Sequence, residues 1–123
     1  MKTTNYEISK KLKEIGFETE TIFHYEYEEL RWEEEGVDLP FEDLIYAYDL
    51  ETIWGFLPSF IKLDTHPHNL EMKKGCSDNL YIGYGFLGYE ESIIFTQERG
   101  ESLADTAARL LIKLIEDKII KIK

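Results

Sequence analysis

Residues 79–96 read NLYIGYGFLGYEESIIFT, and this stretch decides between two classes of fold. It contains the pattern G-x-G-x-x-G, spelled by Gly83, Gly85 and Gly88, which also marks the phosphate-binding loop of dinucleotide-binding domains. That loop follows a strand and opens a helix, whose N-terminus binds the pyrophosphate. Here the glycines alternate with aromatic and β-branched residues, and the next run, YEESIIFT, is typical of another strand. We therefore predict two strands joined by a tight turn, and no cofactor.

Amphipathic helix patterns lie at both ends of the chain. Residues 101–123 read ESLADTAARLLIKLIEDKIIKIK, in which apolar residues recur at helical spacing after a capping box of Ser102 and Asp105. Near the N-terminus, Thr4 or Asn5 would cap a helix that ends at Gly16. The ends of the chain thus predict a short N-terminal helix and a long C-terminal helix.

Residues 18–28 read ETETIFHYEYE and alternate in the manner of an antiparallel strand with one solvated face. The aromatic side, with Phe23 and Tyr25, is predicted to face the core. His24 is predicted to lie on the polar face among glutamates, as a surface or interfacial histidine or, less favourably, as a general base.

The middle of the chain is less regular. Asp49 would cap a short helix ended by Pro58, whereas residues 41–48 fit a helix, a strand or an extended loop. SFIKL, at residues 59–63, reads as a strand, with NLEMKK as its hairpin partner. The whole order predicts an α+β fold in one domain, residues 1–123, with an antiparallel sheet of about four to five strands packed against both terminal helices.

Composition supports a packed globular domain, since 43% of the residues are hydrophobic and 14% are aromatic. The single cysteine, Cys76, cannot form an internal disulfide, which fits a reducing compartment. We find no run of signal-peptide character and none of the ~20 apolar residues that span a membrane. The sequence therefore predicts a cytoplasmic protein that is not inserted in a membrane.

The negative charge is concentrated in one third of the chain. Of the 25 acidic residues, fourteen lie between Glu14 and Glu51, where Arg31 is the one base; we call residues 14–51 the acidic segment. Such a field repels nucleic-acid phosphates and attracts basic proteins. The sequence thus disfavours direct nucleic-acid binding and predicts a basic protein partner. The interface residues that we expect are Glu26, Glu28, Trp32, Glu33, Glu34 and Glu35.

Two other interpretations of the acidic segment remain open. A run of like charges is most often only a solvated face. Alternatively, carboxylates at every second position of a strand, about 7 Å apart at ~3.3 Å per residue, approach the spacing of phosphates along DNA. On that alternative the protein would mimic DNA and inhibit a nucleic-acid-binding protein of the host.

A second alternative is a metal-dependent enzyme that uses residues 64–76. Asp64, His66, His68 and Cys76 are all of types that bind zinc or a related ion. Two histidines two residues apart share a side of an extended chain, but Pro67 between them suggests a turn and the spacing matches no standard zinc signature. We therefore predict no metal and no catalytic residues, and favour binding over catalysis.

Four stretches carry a resemblance to a group of proteins. They are ISKKLKEIGFETETIFHY, AYDLETIWGFLP, LYIGYGF and ESLADTAARLLIKLIE. Their order resembles that of uncharacterised small proteins encoded by phages and integrated mobile elements, which end in an alanine- and leucine-rich helix. The resemblance implies an α+β fold and no particular activity, and residues 64–78 have no counterpart in the pattern. Our expectation is a small acidic, non-catalytic protein–protein interaction module of phage or mobile-element type.

Overall fold

The structure is a computed structural model that describes residues 3–19, 21, 23–26, 29–32, 44–63, 66–75, 79–85 and 92–120, without the side chains of residues 26 and 32. In this part of the chain, three α-helices accompany eight short strands. The elements are, in order, α1 (Tyr6–Glu14), β1 (Phe23–Glu26), β2 (Glu29–Trp32), β3 (Ile45–Tyr46), α2 (Leu50–Phe56), β4 (Phe60–Leu63), β5 (His66–Asn69), β6 (Glu71–Lys74), β7 (Leu80–Tyr84), β8 (Ile93–Thr96) and α3 (Leu103–Glu116). The α+β class and both terminal helices are confirmed.

The side chain before each helix satisfies a free N–H group of its first turn, as the sequence predicts. Asn5 Oδ1 accepts from the backbone N–H of Ile8 at 2.8 Å, which decides between the two cap candidates of α1. Asp49 Oδ1 caps α2 at the same distance, and Ser102 Oγ accepts from the N–H of Asp105 at 3.1 Å in α3. All three predicted helix starts are therefore confirmed.

The strands pair antiparallel but form three small sheets in place of one. Their orders are β2-β1-β3, β4-β5 and β6-β7-β8. The predicted pairing of NLEMKK with SFIKL is wrong, because β4 pairs with β5 whereas β6 pairs with β7. Leu70 N–H donates to Ser59 O, and Gly75 N–H donates to Asn79 O. These donors are an odd number of residues apart, so an extended chain presents them to opposite edges.

The core lies between α3 and the elements around it. Helix α3 packs against α1, α2, β7 and β8. Its buried face meets Ile53 of α2 and the inner face of β7, where Ile82 and Tyr84 are fully buried. Burial of a large aliphatic side chain stabilises a fold by about 1.5–3 kcal/mol. This shared core fixes α2 and α3 side by side, with their first turns adjacent.

The prediction that His24 lies on a solvated face of β1 is wrong. His24 is 3% exposed, and it lies opposite Arg31 of β2 and Tyr46 of β3. The burial of His24 shows that the chain packs over this face of β1 at that position. On the other face, the Tyr25 hydroxyl donates to the carbonyl of Thr4 at 2.8 Å. Alternation alone cannot distinguish a solvated face from a second packed one.

None of the described helices is long and apolar enough to cross a membrane.

Candidate functional site

The acidic segment keeps its unbalanced charge in the described residues. Its one base, Arg31, contacts Glu29 with 3.5 Å between Nη2 and Oε2. Glu14, Glu18 and Glu51 are exposed, and none of them has a salt bridge within the described ranges. The charges of these three described glutamates are therefore open to solvent and to a partner.

The residues that we predicted for the interface lie mostly outside the described part of the chain. Glu26 ends β1 and Trp32 ends β2, so their backbones are placed on neighbouring strands. Their side chains are not described. Outside the described residues are Glu28, Glu33, Glu34 and Glu35.

Three lysines outside the acidic segment pair with acids that also lie outside it. Lys11 of α1 contacts Glu116 of α3 at 3.3 Å, and Lys113 contacts Asp117 at 3.0 Å. Lys73 likewise lies 3.8 Å from Glu71 in β6. Such exposed pairs add little stability. They do, however, partly balance the positive charge of each lysine with a neighbouring carboxylate.

A groove of about 540 Å³ lies where the first turns of α2 and α3 meet. Its apolar part consists of Leu50, Leu103 and Ala104, and no base occurs among the described residues that line it. The polar lining residues are Asp49, Glu51, Gln97, Glu101 and Ser102. Asp49 is bound to the first turn of α2 through its capping bond, whereas Glu51 is exposed. The groove therefore places Asp49 and the exposed Glu51 of the acidic segment beside the start of α3.

One wall of the groove is held by an ion pair between Glu101 and Arg109. The guanidinium donates from Nε to Oε2 and from Nη2 to Oε1, both at 2.7 Å, in the two-pronged geometry that favours arginine. Burial opposes ionisation of Glu101, but hydrogen bonds from Arg109, from the backbone of Glu98 and from Thr106 lower its pKa. This carboxylate stays charged and holds its place.

Asp105 lies next to this pair, and the net shift of its pKa is in the opposite direction. The residue is 5% exposed, and its Oδ1 accepts from the backbone N–H of Asn5 at 2.8 Å. The Ser102 hydroxyl donates to Oδ2 at 3.1 Å. Burial raises the pKa of Asp105 in spite of these two hydrogen bonds. The carboxylate joins α1 to α3 and serves the fold.

The metal candidates of residues 64–76 are only partly described. His66 and His68 lie on one face of β5, where His66 is exposed and His68 is 6% exposed. Pro67 lies within this strand opposite Lys62, so the expected turn at Pro67 is wrong. Asp64 and Cys76 lie outside the described residues. Among the residues that the structure describes, no three His, Cys, Asp or Glu side chains group together in a way that could hold a metal ion.

The first glycine of the pattern lies in a strand, as predicted. Gly83 is within β7, and a Cβ atom there would collide with the carbonyl oxygen of Ile93 in β8. Gly85 has φ of 88° just after the strand, a conformation that favours glycine. Gly88 lies outside the described residues. The next element among the described residues is the strand β8, which pairs antiparallel with β7.

Sequence reasoning missed the network around Arg109. The capping box pointed to Ser102 and Asp105, but no local pattern joins Arg109 to Glu101, eight residues away, or to Thr96, thirteen residues away. These contacts exist because α3 packs back on β8.

Comparisons with protein families, with curated proteins and with solved structures found no match to this chain.

Proposed function

We propose that this protein is a non-catalytic binding module, of the small acidic type encoded by phages and mobile elements, whose acidic segment binds a basic protein. The observation that carries the proposal is the charge layout: fourteen acids and one base lie between Glu14 and Glu51. Electrostatic steering by such a surface raises the association rate and makes binding sensitive to salt.

Binding is favoured over catalysis because three groups with shifted pKa values, Tyr84, Glu101 and Asp105, are hydrogen-bonded to other parts of the protein. The Tyr84 hydroxyl donates to the carbonyl of Pro58 at 2.6 Å, and burial raises its pKa. Glu101 is held by Arg109, and Asp105 bonds to the backbone of α1. A catalytic acid or base needs a proton to exchange with substrate, whereas these groups hold helices and strands together.

The test is affinity capture from host-cell lysate at low and moderate salt, read by mass spectrometry. Three baits run side by side, each checked for folding by circular dichroism. The first is wild type. The segment variant carries Glu26→Gln, Glu28→Gln, Glu33→Gln, Glu34→Gln and Glu35→Gln. The control variant removes the same amount of charge outside the acidic segment, through Glu7→Gln, Glu71→Gln, Glu98→Gln, Glu116→Gln and Asp117→Asn.

We expect one basic protein to bind wild type and the control variant in stoichiometric amounts and to be lost from the segment variant. Moderate salt should reduce its recovery. Equal recovery of every protein by all three baits would contradict the proposal, because the acidic segment would then be only a solvated face.

The DNA-mimic alternative is separated by a competition step on the same captured complex. If a duplex oligonucleotide displaces the protein from its partner, the partner uses one site for both, and the acidic segment acts as a mimic. If the complex resists DNA, the partner is a basic protein that is bound for another purpose.

A further inference from the structure

The outer edge of β8 is identified by the hydrogen-bonding alternation of its sheet. Gln97 N–H donates to the carbonyl of Leu80 at 2.8 Å, so position 97 and every second residue before it face β7. The backbone groups of Ile94 and Thr96 therefore point away from β7, towards the outside of the sheet. The Ile94 side chain is 37% exposed. An edge of this kind is a template for pairing with another strand.

Arg109 of α3 reaches across to this edge. Its Nη2 donates to the outward-pointing carbonyl of Thr96 at 2.7 Å. The guanidinium carbon lies 5.1 Å from the centre of the Phe95 ring, and Glu101 fixes the orientation of the group from the other side. Three partners thus hold one cation against the end of β8.

We infer that Arg109 blocks antiparallel pairing between β8 and the same strand of a second copy of this chain. A twofold axis at Phe95 would bring Ile94 of each copy opposite Thr96 of the other, and each such residue pair exchanges two hydrogen bonds. Because Arg109 occupies the Thr96 carbonyl in both copies, it removes two of the four. The pairing would also have to accommodate the two Arg109 side chains, each of which lies against the end of the strand that the other copy would approach.

A second copy is the occupant that this edge fits, because β8 supplies both halves of the symmetric pattern. In an antiparallel pair of two β8 strands, Ile94 of each copy would exchange hydrogen bonds with Thr96 of the other. Ile94 and Thr96 would also lie side by side across the new pairing, and a β-branched pair of this kind stabilises a sheet. Arg109 therefore prevents β8 of a second copy from pairing with the β6-β7-β8 sheet.

The test is the molar mass of purified wild type and Arg109→Met, measured by sedimentation equilibrium over a wide range of concentration. Methionine keeps the apolar stem of the side chain and removes the donor. We expect the variant to approach twice its chain mass as concentration rises, over a range in which the mass of wild type does not change.

A rescue variant shows which surface is responsible. Arg109→Met combined with Ile94→Lys places a charge beside the opened edge and should return the mass to that of wild type. If Arg109→Met has the same mass as wild type throughout, or if the double variant still associates, the inference is overturned. Glu101→Gln serves as an independent route should Arg109→Met fail to fold. It keeps the arginine but weakens its anchor, so self-association is expected again, and its absence there equally overturns the inference.

Discussion

Gly83 and Gly55 differ in the space that is available for an added methyl group. Gly83 in β7 approaches the backbone of β8 so closely that a Cβ would meet the Ile93 carbonyl and lie 2.7 Å from Cα of Ile94. Gly55 is inside α2, and a Cβ there would have no atom within 4 Å. Gly83 allows β7 and β8 to approach closely. Gly55 has no such role, and it makes α2 less stable than alanine would.

We predict that Gly83→Ala lowers the free energy of unfolding by about 2 kcal/mol, within the usual range for overpacking, because β8 must move. Gly55→Ala should raise it by about 0.5–1 kcal/mol, since alanine loses less conformational freedom in a helix. Urea unfolding followed by circular dichroism measures both. A Gly83→Ala protein as stable as wild type would show that β7 and β8 can separate at no cost.

At the scale of the element, the start of α3 combines two carboxylates with opposite pKa shifts. Glu101 precedes the helix and is charged more easily than usual, whereas Asp105 in its first turn is charged less easily. Sequence reasoning placed the helix and its capping box, because these depend on neighbours within one turn. The lowered pKa of Glu101 depends on hydrogen bonds that include those from Arg109, and the raised pKa of Asp105 depends on burial. Only tertiary packing brings Arg109 near and buries Asp105.

We predict opposite pH dependences for variants of these two residues. The lowered pKa of Glu101 gives stability that is present above its ordinary value of 4.5 and is lost as pH falls through the folded-state pKa. Glu101→Gln should therefore be destabilising at neutral pH, and its difference from wild type should shrink in acid. Unfolding by urea at a series of pH values measures this difference.

The raised pKa of Asp105 gives the reverse sign. Its contribution is fully present below the ordinary value of 3.8 and is lost as pH rises through the folded-state pKa. Asp105→Asn keeps an oxygen for the Asn5 N–H and removes the buried charge. In the same urea series it should gain stability relative to wild type as pH rises towards neutrality. A constant difference at every pH would contradict the raised pKa.

At the scale of the whole molecule, a net charge of −11 is distributed unevenly. The acids of the control variant include three that pair with lysines, whereas Glu14, Glu18 and Glu51 of the acidic segment have no salt bridge within the described ranges. Repulsion within the acidic segment therefore opposes folding, and salt should reduce it.

We predict that the midpoint of thermal unfolding of wild type rises with sodium chloride concentration. The segment variant should show a flatter dependence than the control variant, because it lacks acids whose mutual repulsion is being screened. Differential scanning fluorimetry across a salt series measures all three proteins. Equal salt dependences would mean that the repulsion is spread over the whole surface.

The sequence by itself determined the features that arise within a few residues. These include the three helix caps, the strand at Leu80–Tyr84 and the concentration of acids between Glu14 and Glu51. Capping bonds span only three residues, and charge needs no fold to be counted.

The tertiary structure alone decided the burial of His24, the division of the strands into three sheets and the contact of Arg109 with Thr96. Each of these depends on which distant segment lies alongside. The free energy of that choice comes from the shared core, where α3, α2 and β7 bury their apolar faces together, and a local pattern does not contain it.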